Sequence, residues 1–400
     1  MKRKTSLLII YLAVSGLIPG AVFAEDKPAE ESSIQGELTD EEKSVLESKS
    51  LTEEGEPIVP AEFISRPAHN EIELGIGYVS DDAFKFGRYN GMQTKGPFLI
   101  GNIDVEKFYE DGRFWSVHGT NLGLESRYLR LEGGSQGRYK FFLEYDELPN
   151  YKNNTVKSPF LGIGGDDLTL PSGFDIDTNL DANLNSFELE TKRQRVKTGI
   201  RFIPKERWQF DVDVSHENKQ GTDATGGAIA VGTNQLVGNT RIAMLPEPID
   251  QDTDLVTATL RYGGNDGQVD IKYEMSIFDN NYNSLTWQDP FHTAAAGSMS
   301  LAPDNEFHQL SLTGGYNLPY KSRLTGLISM GRMTQNQNYL PYTVNNNATP
   351  SPLPQSSLDG EVWLTNAQLK LTSRPVNKLR LNAELRYNER DNKTTSATYD

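Results

Sequence analysis

The residues whose types and spacing come nearest to a chemical site are oxygen donors. Asp175, Asp177, Asn179, Asp181 and Asn183 alternate along one polar stretch and offer the hard ligands that Ca²⁺ takes. An EF-hand loop would place Gly at its sixth position and Glu at its twelfth, where Leu180 and Ser186 stand. The first four residues are therefore a calcium candidate set against the plainer reading of a solvated loop. The histidines His69, His118, His216, His292 and His308 are scattered, without HExxH or other paired metal spacing. Gly162-Ile163-Gly164-Gly165 is not a GxGxxG opening a helix after a buried strand. Cysteine is absent, which removes lipoprotein anchoring, disulfides, CxxC redox chemistry, Cys-ligated zinc and covalent c-type haem. No catalytic constellation and no cofactor of the chain's own is expected.

The elements that carry these residues begin with a leader. Lys2, Arg3 and Lys4 precede an apolar run from Leu7 to Val14, and Ala21-Val22-Phe23-Ala24 places small residues at the −3 and −1 positions. That is a signal peptide over 1–24; the apolar run is too short to span a bilayer as a helix and Pro19-Gly20 interrupts it. Residues 25–60 then hold twelve acids against Lys27, Lys43 and Lys49. Such a run reads as a disordered acidic arm over 25–70, a periplasmic tether or a docking segment for a basic partner. The net charge is −16 with no basic stripe, so nucleic acid is not an expected partner. Hydrophobic residues are only 36%, while Gly reaches 35 residues and Tyr and Phe 17 each. A large soluble core fits that poorly; a barrel with a wet lumen fits it well.

From residue 71 the chain alternates. In Trp208 to Ser215 every even residue is apolar and every odd one polar; the same alternation, with the odd residues apolar, holds for 268–277 and 379–387. Tyr139, Phe141, Leu143 and Tyr145 alternate with Lys140 and Glu144. Period two over eight to ten residues is a strand with one apolar and one polar face, long enough to cross a bilayer at a tilt. Thirteen strands are expected, at 72–79, 98–109, 113–122, 127–132, 138–146, 185–203, 207–216, 253–262, 268–278, 307–317, 322–333, 359–371 and 378–388. Short turns alternate with long polar stretches at 147–184, 217–252, 279–306 and 334–358. A soluble sandwich would space its connections more evenly, whereas outer-membrane barrels have short periplasmic turns and long external loops. Tyr78, Tyr109, Tyr145, Trp208, Tyr262, Trp363 and Tyr387 are candidate girdle residues at strand ends. The fold class is thus all-β, a large antiparallel transmembrane barrel over 71–400 in the outer membrane of a Gram-negative bacterium. An odd strand count and an ending in a loop read as the N-terminal part of a longer barrel.

Alternation also assigns a lumen. The inward row is expected to hold Asn102, Asp104, Glu106, Lys140, Glu144, Gln209, Asp211, Asp213, Asp270, Lys272, Glu274, Arg380, Asn382, Glu384 and Arg386, with outer-membrane lipid on the opposite face.

Several segments then resemble the MtrB/PioB family of barrels associated with decahaem cytochromes. They are Ser158-Pro159-Phe160-Leu161-Gly162-Ile163-Gly164-Gly165-Asp166-Asp167-Leu168-Thr169-Leu170-Pro171 with Phe187-Glu188-Leu189 and Lys192-Arg193-Gln194-Arg195, Gly77-Tyr78-Val79-Ser80-Asp81-Asp82 with Phe84-Lys85-Phe86-Gly87, and Leu245-Pro246-Glu247-Pro248-Ile249-Asp250. Ser276 to Asn280, Leu301 to Asn305 and Tyr387 to Asn392 follow in order. The resemblance covers 71–392. It implies a complete barrel of about 26 strands, within the range of bacterial barrels. It also implies a function: sheathing a periplasmic multihaem c-type cytochrome across the outer membrane for extracellular electron transfer. Haem would then be carried by that partner, and an extracellular multihaem cytochrome is a second candidate partner. Some members carry CxxC after the signal; this chain has none. A large porin or substrate-specific channel is the alternative.

Overall fold

A computed structural model describes residues 5–16, 70–230, 240–345 and 351–398. The expected cleavage site and the acidic arm fall outside these residues. Within them the chain is all-β. Strands β1 (Thr5–Gly16), β2 (Glu71–Val79), β3 (Gly96–Phe108), β4 (Arg113–Thr120), β5 (Tyr128–Ser135) and β6 (Tyr139–Ser158) are followed by the two-residue β7 (Asp167–Leu168). Next come β8 (Asn185–Lys205), β9 (Trp208–Ala230), β10 (Thr240–Gly263), β11 (Gly267–Asn280), β12 (Ser284–Gln288) and β13 (Ala296–Ser300). The last four are β14 (Asn305–Leu318), β15 (Ser322–Gln335), β16 (Gly360–Val376) and β17 (Leu379–Asn392).

One large sheet runs β17-β16-β15-β14-β11-β10-β9-β8-β6-β5-β4-β3-β2, with β1 beside β17. The thirteen strands after β1 are the thirteen that alternation predicts, each paired antiparallel with its neighbours in the chain's own order. This meander satisfies backbone N–H and C=O groups from strand to strand, as a bilayer requires. Six connections on one side, at 109–112, 136–138, 206–207, 264–266, 319–321 and 377–378, are tight turns. Gly112 and Gly137 take positive φ of 81° and 70° there, as do Lys321 (50°) and Lys378 (73°). At the first turn Asp111 accepts the Arg113 backbone N–H at 3.1 Å and its guanidinium at 2.6 Å. Those bonds, the backbone one foremost, hold the Asp111 carboxyl below its ordinary range.

The loop side departs from expectation. The stretches 147–184, 217–252 and 279–306, read above as loops, contain regular structure. β6, β9 and β10 run on to 20, 23 and 24 residues, about twice what a tilted strand needs to cross a bilayer. On β9 the apolar row Trp208, Phe210, Val212 and Val214 gives way on the same face to His216, Asn218 and Gln220. These bond across to Asp254, Asp252 and Asp250 on β10 at 2.9, 2.9 and 3.1 Å. The ladder continues where the apolar face stops, because outside lipid a strand needs no apolar side. Pro246 and Pro248 stand two apart on β10, so both missing N–H groups fall on one edge. The β11 register has already ended at Gln251↔Asn280, so an edge without that neighbour is available to them.

The loop side also has a core. β7, β12 and β13 form a separate three-stranded sheet. Phe160, Leu168, Leu170, Phe174, Leu245, Leu285, Trp287 and Leu301 pack into one buried cluster beside it. Residues from two connections and from the extension of β10 thus meet in a folded cap.

A test of sidedness follows from the absence of cysteine. Ala294→Cys in the cap is expected to react with a membrane-impermeant maleimide on intact cells. Glu206→Cys in a tight turn is expected to react only after the outer membrane is opened. The reverse pattern would invert the topology.

Candidate partner-facing wall

Cross-strand register sorts the side chains into two faces. One row crosses nine strands as Tyr139, Phe202, Phe210, Leu260, Ile271, Leu312, Ile328, Ala367 and Tyr387. Every member is apolar or aromatic. One residue along, on the other face, the row reads Lys140, Arg201, Asp211, Thr259, Lys272, Ser311, Ser329, Asn366 and Asn388. Every member is polar. Directly opposed residues of an antiparallel pair share a face, so the contrast holds across the sheet.

The outer face keeps its large side chains exposed: Leu74 is 87% and Ile76 83% accessible. In water that would be an aggregation surface; in an outer-membrane barrel it is the lipid contact.

The twelve charged residues expected to face the lumen lie on the polar face. Asp104, His118, Arg130, Glu144 and Lys197 are register partners in one row, and Glu106, Ser116 and Glu132 in the next. Asp211 and Asp213 on β9, Asp270, Lys272 and Glu274 on β11, and Arg380, Glu384 and Arg386 on β17 share that parity. Asn102 on β3 belongs to it as well and accepts the Asn121 N–H at 3.0 Å.

Sequence reasoning missed the partners. Arg201 binds Asp211 at 2.6 Å, Arg261 binds Asp270 at 3.0 Å, and Lys140 binds Glu132 at 2.5 Å. Arg130 bridges Glu132 at 2.9 Å and Glu144 at 2.7 Å, with its guanidinium 4.3 Å from the centre of the Phe142 ring. Lys272 meets Glu274 at 2.6 Å, and Arg386 meets Glu384. The signal lay in the same parity rule: Arg130, Glu132, Arg201 and Arg261 occupy polar positions of their strands. The wall is a lattice of alternating charge in which acids and bases already meet.

The calcium candidates lie in the connection between β7 and β8. Asp175 Oδ1 accepts the Asp177 N–H, and Asn179 Oδ1 accepts the Asp175 N–H, both at 2.9 Å. The Asn179 side-chain amide donates to the Gly173 carbonyl at 2.9 Å, and Asp181 opens a single 3₁₀ turn to Asn183. These oxygens build turns. Among the described residues no group of three or more His, Asp or Glu is placed to hold a metal ion. Of the histidines, His216 meets Asp254 at 2.9 Å and His308 the Tyr273 hydroxyl at 2.8 Å, while His118 and His292 lie 3.8 Å from Asp104 and Asp289. His69 lies outside the described residues.

The outer membrane beta-barrel porin family MtrB/PioB matches residues 78–400. "Outer membrane protein MtrB" of Shewanella baltica (strain OS185) is 30% identical over 336 residues, covering 81% of this chain and 46% of its own length. The chain therefore spans about half the length of the curated relative it matches. Among solved structures, OmpT of Vibrio cholerae is 12% identical with a TM-score of 0.22, covering 82% of this chain and all of that one. The toluene transporter TodX of Pseudomonas putida is 8% identical with a TM-score of 0.22, covering 80% and 87%. Those two scores are too low for a shared strand arrangement to be read from them. The match over 78–400, on a sheet with one apolar and one polar face, has a plain meaning: this chain belongs to the MtrB/PioB family of outer-membrane β-barrel proteins.

Proposed function

We propose that the polar wall grips a periplasmic multihaem c-type cytochrome and holds it across the outer membrane, so that electrons pass along the partner's haems. The observation that supports this is the nine-strand row from Lys140 to Asn388, polar at every position. A lumen kept for bulk water needs only polarity; a wall of fixed, mutually paired charges is also a surface on which a soluble protein can seat. In this reading the chain is a non-catalytic conduit subunit, and haem belongs to the partner. Exposed ion pairs are worth ~0–1 kcal/mol each, so affinity would come from shape and many contacts.

The full-length protein, affinity-purified from membranes, is expected to bring down a haem-staining partner. Replacing Asp211, Asp213, Asp270 and Glu274 together by their amides is expected to lower that yield severalfold while the barrel stays folded, with single replacements near wild type. The family description as a porin favours a second reading, an open channel. Reconstituted alone, the full-length barrel should conduct ions, and the cytochrome should block it. Conductance unchanged by the cytochrome would reject the sheath in favour of the channel.

A further inference from the structure

The membrane face contains a hollow near the tight turns. Gly314 on β14 and Gly326 on β15 are directly paired, and each presents no side chain where its neighbours Leu312, Ile328, Tyr316 and Leu324 project. Their next partners in register are Val269 on β11 and Leu369 on β16. The resulting pit has a volume of about 760 Å³, within the range of small-molecule sites. A second hollow of about 360 Å³, between Trp208, Tyr262 and Ile271, lies beside it and shares Tyr262 and Val269.

At its turn end the pit is lined by Arg207, Asn265 and Asp266. Arg207 is exposed and donates to the Asn265 side-chain oxygen at 3.3 Å. The hollow thus has an apolar body open to the bilayer core and a rim carrying one cation and one anion. A detached hydrocarbon would gain nothing from that rim, and a purely anionic lipid would meet the Asp266 carboxylate.

We propose that this pit is a binding site for a phospholipid with a phosphoethanolamine headgroup, drawn from the leaflet at the tight-turn side. One acyl chain fills the space above Gly314 and Gly326. Arg207 pairs with the phosphodiester, and Asp266 with Asn265 receives the ammonium. The site lies on the opposite face from the wall that would hold a cytochrome, so it stands or falls independently of that reading.

The test is native mass spectrometry of the full-length protein extracted in mild detergent and offered dioleoyl phosphatidylethanolamine or dioleoyl phosphatidylglycerol. One ethanolamine lipid is expected to stay bound, with at least tenfold less retention of the glycerol lipid. Gly326→Leu is expected to reduce retention about tenfold. A Cβ at Gly326 meets Leu369 at 3.6 Å and the Gln368 carbonyl oxygen at 3.8 Å, both ordinary contacts, so the barrel should still fold and show its heat-dependent gel shift. Should that variant fail to fold, Arg207→Gln with Asp266→Asn carries the test, because it changes only turn side chains and should abolish the headgroup preference. Equal retention of both lipids by the wild type would overturn the proposal. So would retention and preference unaltered in the folded variants, or a lipid-free dimer burying the pit.

Discussion

Trp287→Ala is expected to open the cap while leaving the barrel standing. The indole is 4% exposed and sits in the buried cluster with Leu168, Leu245 and Leu285, each fully buried. It lies over two glycines: a Cβ at Gly297 would come within 2.3 Å of the ring and one at Gly227 within 3.0 Å. The close approach of strand backbone to indole explains why glycine stands at both positions. Removing a buried Trp side chain costs ~3–5 kcal/mol, part lost transfer energy and part cavity. That cost falls on the cap, because the sheet's ladders do not depend on Trp287. Protease added to intact cells should therefore cut the variant within 279–306 at least tenfold faster than wild type, while the heat-dependent gel shift of the barrel persists. Gly297→Val should act in the same direction by displacing the ring. Wild-type resistance in both variants would show that the cap does not rest on this packing.

The cap was hidden from sequence reasoning for a physical reason. Its core draws Phe160, Leu168 and Leu170 from one connection, Leu245 from a strand extension and Leu285, Trp287 and Leu301 from another connection. No period links residues that converge from two loops and a strand extension. The membrane strands were legible because lipid on one side and water on the other impose period two on every strand alike. Their outer ends were not, since the cue was apolar alternation and that stops at His216 on β9, although the ladder runs on to Ala230. Strand 138–146 was cut short similarly: β6 continues to Ser158, past Pro149, whose pairing with β5 has already ended at Tyr128↔Asp146.

The charged wall was half legible. Parity placed Asp211 and Asp270 on the polar face, but a partner across a strand pair needs the register, which one strand's pattern does not supply. Arg201 and Arg261 became visible as partners only once Arg201↔Asp211 and Arg261↔Asp270 were aligned. The consequence is chemical: in a wall expected to carry mixed charge, Asp211 and Asp270 are already paired with Arg201 and Arg261, so its grip on a partner would depend on exchanging ion pairs.

Ile271→Arg is expected to destabilise the barrel by about 2–4 kcal/mol, the cost of a cation on the lipid face near the bilayer midplane. Ile271 stands mid-strand on β11, flanked in register by Leu260 and Leu312, and is 42% accessible to what becomes hydrocarbon in the membrane. An arginine there has no acid beside it; the acids at 270 and 274 are on the other face. Asp270, one residue away, lies on the polar face, and Asp270→Asn is the matched control. It removes one partner of the Arg261 pair at 3.0 Å, both partly exposed, and should cost no more than ~1 kcal/mol. Urea titration of the barrel folded into vesicles, followed by tryptophan fluorescence, measures both. A large loss for Ile271→Arg with near-silence for Asp270→Asn is the signature of two faces in two solvents. Equal losses would mean that positions 270 and 271 meet the same surroundings, and the division of the sheet into a lipid face and a polar wall would fail.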